Sequence, residues 1–241
     1  MQDSTRRALV TAGRTGIGAA IAASLRREGL DVWTTSRTPA DGDARCLRLD
    51  AASAPDEIER VVGTARPDVL VHAAAAFPPF GPAARVDAAD VRAALEVKVE
   101  FGLRVFAAAA PFLRAGGSGR VVFIGSAAGA LGAAGQAGYA AANAALVGLV
   151  RSIAVEEGRR GVTANLVVPG LVETPRLVDS VPEDARARVV ARSAVGRIGT
   201  PAEVADVVAF LCASERGFVT GATLHVDGGL GLGVGAEDGG A

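Results

Sequence analysis

One lysine, one tyrosine, one tryptophan, one methionine, two histidines and two cysteines are all that this chain of 241 residues holds of those types. Two distant cysteines, Cys46 and Cys212, exclude a disulfide framework and have no metal-like spacing. They read as buried, inert thiols. Lys+Arg number 25 and Asp+Glu 26, with the signs interspersed, so the chain lacks both a basic stripe for nucleic acid and a polybasic membrane anchor. The leading MQDSTRR passes into an apolar run too short for a signal-peptide core, and no stretch reads as the ~20 apolar residues of a spanning helix. A cytoplasmic protein that handles a small molecule is the expectation these absences leave.

What is present supports one α/β domain. Half of the residues are apolar, enough for a sizeable core, and no shift in composition marks a linker. RALVT (residues 7–11) reads as a strand, AGRTGIG as a glycine loop, and 17–28 as an amphipathic helix closed by Gly29. Gly16 and Gly18 would let backbone approach a pyrophosphate at the helix N-terminus. Strands are expected again at 32–36, 46–49, 68–73 and 162–168, with a helix over 55–65 and a long one over 87–115, broken near Gly102 and Pro111. Alternating strands and helices predict a doubly wound, Rossmann-type parallel sheet of about seven strands whose ligands bind at the strands' C-terminal edge.

The stretch from Val121 to Gly148, VVFIGSAAGALGAAGQAGYAAANAALVG, carries the chemistry. An apolar strand delivers Ser126 to its C-terminal edge. Tyr139 opens an Ala-rich helix, and Asn143 follows one turn on along the same face. An alcohol, a phenol and a carboxamide are thereby expected to converge.

Ser126, then Tyr139 with GQAGY before it, resembles the short-chain dehydrogenase/reductase family and its 3-oxoacyl-carrier-protein reductase branch, over nearly the whole chain. Two positions depart from the family pattern: Asn143 stands where Tyr-x-x-x-Lys has lysine, and Lys98 stands where the preceding long helix has an active-site Asn. The exchange looks reciprocal, with one ammonium supplied from the other helix. The bland alternative is a surface lysine paired with Glu96 or Glu100. Arginine supplies every other cation of the Lys/Arg set, which argues against that alternative. Bringing a phenol from ~10 to neutrality needs about 4 kcal/mol, which an ammonium about 4 Å away supplies and a carboxamide does not.

The resemblance further implies a cofactor site built from Thr11, Gly13, Arg14, Thr15, Gly16, Ile17 and Gly18, with Asp50 at the adenine pocket. Ala73, Tyr139, Pro169, Gly170, Val172 and Thr174 would continue it toward the nicotinamide. Ala12 replaces the first glycine of the T-G-x-x-x-G-I-G pattern, and His72-Ala73-Ala74-Ala75 replaces Asn-Asn-Ala-Gly. His72 reads as structural. Arg37, where NAD-preferring relatives carry an acid, favours NADPH over NADH, with Arg14 in support.

Residues 172–198 correspond to a substrate lid, in which Arg176, Arg186, Arg188 and Arg192 either meet an acidic carrier protein or are simply solvated. The helix at 201–213 and the last strand lie in the region that builds dimer and tetramer contacts in relatives, although the chain's own sheet would cover that helix equally well. The Gly-rich tail at 231–241 is expected to be disordered. The reaction implied is hydride transfer from NADPH to the carbonyl of a ketoacyl or polyketide-like substrate, free or carrier-bound. Tyr139 would donate the proton, Ser126 would hold the oxygen, and a Lys98/Asn143 relay would support both. Two other readings stay open: a degenerate nucleotide-binding or scaffold subunit, and a non-redox dehydration or isomerisation catalyst.

Overall fold

Short runs rich in Val, Leu, Ile and Ala form seven strands, and a computed structural model describes their arrangement over residues 5–39 and 42–232. These are β1 (Arg7–Thr11), β2 (Asp31–Ser36), β3 (Cys46–Arg48), β4 (Val69–His72), β5 (Arg120–Ile124), β6 (Thr163–Pro169) and β7 (Thr223–Val226). They pair in the order β3-β2-β1-β4-β5-β6-β7, and every pairing is parallel. The direction of winding reverses between β1 and β4, so the crevice for a ligand opens above that pair.

Helices α2 (Pro55–Ala65), α4 (Phe101–Ala115) and α6 (Ala137–Glu157) bury Val61, Val105, Leu146 and Val150 on one face of the sheet. Helices α1 (Gly16–Arg27) and α9 (Pro201–Cys212) bury Ile21, Leu25, Val204 and Val208 on the other. The apolar face of α9 is therefore covered by the chain itself. By length and hydropathy alone, residues 137–160 could cross a membrane. In the fold Leu146, Val150 and Ile153 of that segment belong to the core, so its apolar character has a packing explanation.

The long helix expected over 87–115 is not broken at Gly102 or Pro111. It runs as α3 (Ala88–Leu95), a π turn (Glu96–Glu100) and α4, with Pro111 inside α4. Both Pro111 and Ala107, the residue whose carbonyl loses its partner, are exposed, so water can satisfy that oxygen. The irregularity falls instead at the π turn, whose extra residue per turn rotates Lys98 inward.

A short helix α5 (Ala128–Leu131) follows β5, and α7 (Pro175–Ser180) and α8 (Glu183–Val190) form the lid-like segment. Cys46 and Cys212 are free and buried, and burial pushes the Cys212 thiol up to about 12, consistent with inert thiols. The expected tail lies mostly outside the described residues, which end at 232.

Candidate active site and nucleotide cradle

The turn after β1 sits at the C-terminal edge of the sheet, where Gly13 N–H donates to Thr35 O at 3.1 Å. A Cβ on Gly18 would lie 2.3 Å from Ala12 O, so only glycine permits the helix to start this close to the strand. Ala12 itself holds a left-handed φ of 51°, a conformation that costs an alanine about 1 kcal/mol. At the start of α1, Thr15 makes no side-chain cap and the first turn contains no acid, leaving its N–H groups and positive dipole for an anion. Thr174 closes over this loop, its methyl 3.4 Å from where a Gly16 Cβ would stand. Val172 is buried beside it, pairing with Gly199.

Beyond the loop, Arg14 donates to Thr38 O and, at 3.1 Å, to Thr38 Oγ1, crossing to the end of β2 next to exposed Arg37. Asp50 follows β3 and accepts from Ala52 N–H at 2.9 Å. These residues and the glycine turn fit a dinucleotide: an anion-ready helix end, a cradle a Cβ would fill, and two guanidinium groups at the far side.

Below the cradle, the Thr11 hydroxyl bonds His72 Nδ1 at 3.0 Å and accepts from Ala73 N–H at 3.1 Å. His72 Nε2 lies 3.1 Å from Val97 O. A neutral ring protonated on Nε2 satisfies both contacts, accepting from Thr11 and donating to Val97. Burial, and then the charge of Lys98, lower its pKa to about 3. His72 thus ties β4 to β1 and to the π turn in place of two amides, without acid or base chemistry.

The reacting groups gather on β5 and α6. Ser126 follows the end of β5, its Oγ accepting from Ala128 N–H at 3.3 Å. Tyr139 stands in the first turn of α6. Burial raises the phenol above its ordinary value, opposed by hydrogen bonding to Ser126, by Asn143 and by the positive charge of Arg176. Asn143 is buried; its Nδ2 donates to the Tyr139 main-chain carbonyl at 2.8 Å, and its Oδ1 has no partner. Such an acceptor, unsatisfied inside the protein, calls for a donor from a ligand or a water. A cleft of about 130 Å³, walled by Pro78, Phe80, Arg85 and Gln136, reaches Tyr139.

Lys98 is no surface residue. Its side chain is 2 % exposed, its Nζ donates to Ile124 O at 2.8 Å, and burial lowers its pKa to about 8. Glu100 reaches Arg104 instead, at 3.9 Å. The amine thus lies under the end of β5, two residues before Ser126. A cation that lowers the phenol pKa, Arg176, belongs to α7.

Sequence reasoning did not single out Phe77. Its ring stacks on Tyr139, with centroids 5.2 Å apart and planes at 21°, and the Arg176 guanidinium lies 3.8 Å from its centroid. A bulky aromatic directly after the Ala73–Ala76 run was the available signal.

Comparison with known proteins agrees with this architecture. Residues 11–231 match the family model described as enoyl-(acyl carrier protein) reductase. The chain is 36% identical over 239 residues to cis-4-hydroxycyclohexanecarboxylate dehydrogenase of Sinomonas cyclohexanicum, covering 93% of this chain and 96% of that protein. It is 34% identical over 236 residues to the 3-oxoacyl-[acyl-carrier-protein] reductase FabG of Escherichia coli K12, covering 92% and 96%. A crystal structure of a protein provisionally described as a gluconate dehydrogenase from Agrobacterium tumefaciens superimposes with a TM-score of 0.87 at 27% identity, over 93% of this chain and 95% of that one. The seven-stranded parallel sheet, the glycine cradle at its switch point and these similarities together make this chain a member of the short-chain dehydrogenase/reductase family, an oxidoreductase by descent.

Proposed function

We propose that the protein is an NADPH-dependent carbonyl reductase. The observation that carries the reading is a buried Tyr139 phenol on which the Ser126 hydroxyl and the Asn143 carboxamide act, with Asn143 Nδ2 held by the Tyr139 main-chain carbonyl. When bound, the reduced nicotinamide supplies the hydride. Ser126 donates a hydrogen bond to the substrate carbonyl oxygen, and Tyr139 gives that oxygen its proton. A phenol raised above its ordinary pKa stays protonated at neutral pH. The site is thereby set for reduction, while the reverse reaction, which needs a phenolate, gains only at alkaline pH.

Asn143 and Lys98 serve as positioning residues in this reading. The unpartnered Asn143 Oδ1 accepts from a ribose hydroxyl or an ordered water, and Lys98 fixes the Ile124 carbonyl two residues before Ser126. Arg37 and Arg14 meet the 2′-phosphate. The substrate is a small carbonyl compound. Relatives are named for a hydroxycyclohexanecarboxylate, for gluconate and for a 3-oxoacyl group on a carrier protein, so a free carboxylate-bearing ketone and a carrier-bound ketoacyl group both fit the family. A homodimer or homotetramer fits the exposed Phe210 and Phe218 near the C-terminal region.

One observation favours a second reading, a nucleotide-binding relative without turnover: the Lys98 amine is taken up by the Ile124 main-chain carbonyl. NADPH oxidation with a panel of cyclic ketones, diketones and oxocarboxylates separates the two. Turnover that prefers NADPH to NADH is expected; tight cofactor binding with no oxidation across the panel would establish the second reading.

A further inference from the structure

We infer that Arg176 recognises a negative charge on the substrate, and that the substrate class is an oxocarboxylate, a carbonyl compound carrying its own carboxylate. This inference rests on the reductase reading of the site and narrows its substrate.

The geometry begins at Tyr139. Phe77 lies nearly parallel to the phenol ring at 5.2 Å, and the guanidinium of Arg176 sits 3.8 Å from the centroid of Phe77. Three planar groups, from the loop after β4, from α6 and from α7, are therefore joined through one aromatic ring. Phe77 is 41% exposed, and Arg176, itself exposed, covers part of its ring.

A cation–π contact uses none of the guanidinium N–H donors, so they stay free for hydrogen bonds. A carboxylate is planar and binds the edge of a guanidinium through two parallel hydrogen bonds. The Arg176 guanidinium carbon lies no farther from the centre of the phenol ring than 5.2 and 3.8 Å laid end to end, and a carboxylate on its N–H edge adds at most about 4 Å. A small molecule can thus reach Arg176 with its carboxylate and Tyr139 with its carbonyl at once. The remaining charges at the cleft sharpen the orientation. Asp87 and Asp90 line it together with Arg85, and Asp87 Oδ1 is already bonded to Ala89 N–H at 2.8 Å. Two acids on that wall repel a carboxylate, whereas Arg176 and Phe77 lie outside the cleft's lining, reaching Tyr139 through the Phe77 ring. Arg85 is the competing cation, so the test must separate the two arginines.

The test compares kcat/KM for oxocarboxylic acids of increasing length, 4-oxocyclohexanecarboxylate among them, with their methyl esters, in wild type, Arg176→Leu, Arg176→Lys, Phe77→Leu and Arg85→Leu. The acid-to-ester ratio cancels any common effect of a variant on folding, cofactor or phenol. Wild type should prefer the acid by about tenfold or more, as one charge-assisted pair supplies. Arg176→Leu should bring the ratio near unity, Arg176→Lys and Phe77→Leu should fall between, and Arg85→Leu should keep the wild-type ratio. An unchanged ratio in Arg176→Leu, a loss in Arg85→Leu instead, or a preference for ketones bearing a phosphate monoester would overturn the assignment.

Calorimetric titration of the full chain with unreactive cyclohexanecarboxylate provides a readout without turnover. Binding by wild type that Arg176→Leu abolishes supports the charge site even where no carbonyl is reduced, so that the reductase reading would fail alone. No binding to either protein, with no acid preference, would end the inference whatever becomes of the reductase reading.

Discussion

Replacing Lys98 with methionine should remove a pH dependence of stability that the wild-type fold carries on the alkaline side. The Lys98 amine is buried against Ile124 O, and its pKa falls from 10.5 to about 8. In the unfolded chain it regains the ordinary value. Between about pH 8 and 10.5 the unfolded state therefore binds more protons than the folded one, and stability must rise with pH across that window. Below it, where both states are charged, the fold bears the full cost of a buried ammonium. The slope is about 1.4 kcal/mol per pH unit and the whole effect about 3 kcal/mol. Urea unfolding of wild type and Lys98→Met at neutral pH and at about pH 10 isolates the contribution, because other titrating groups are common to both proteins. Wild type should gain about 2.5 kcal/mol more than the variant, most of the whole effect. Equal gains would mean that the amine reaches water, and the account of the π turn as the device that buries it would be wrong.

Three further outcomes follow from particular contacts. Ala12→Gly should raise stability by about 1 kcal/mol in chemical denaturation, since a φ of 51° strains alanine and suits glycine. Glu157 is buried against Arg114, with bonds of 2.7 and 2.6 Å, and its pKa is lowered first by that contact; its stabilising contribution is complete above the ordinary carboxylate value and is lost as pH falls through the depressed one. Glu157→Gln should cost about 3 kcal/mol at neutral pH and flatten that acid loss in urea titrations. Arg37→Ala should raise KM for NADPH by about tenfold while leaving that for NADH within about twofold, read from initial rates with each cofactor.

The strand and helix pattern was legible because it is local. Proline at the start and the apolar rhythm placed α2 at its observed bounds, and the glycine turn announced β1 and α1. Pro111 misled because the cost of a proline in a helix depends on whether the freed carbonyl meets water, which sequence does not display. The exchange of Lys98 and Asn143 was visible as two substitutions, but where the amine points is set by the π turn, a backbone irregularity with no residue signature. The stack of Arg176, Phe77 and Tyr139 was hidden for another reason. Its members lie far apart in sequence and meet only when α7 folds over the sheet edge.

Proton donation by the single tyrosine is the claim on which the functional reading stands. Rapid-mixing reduction of an oxocarboxylate by NADPH-loaded wild type and Tyr139→Phe, with cofactor binding measured on both, addresses it directly. The account predicts that Tyr139→Phe binds NADPH as wild type does but transfers hydride at least about 100-fold more slowly. Equal hydride-transfer rates in the two proteins would contradict it.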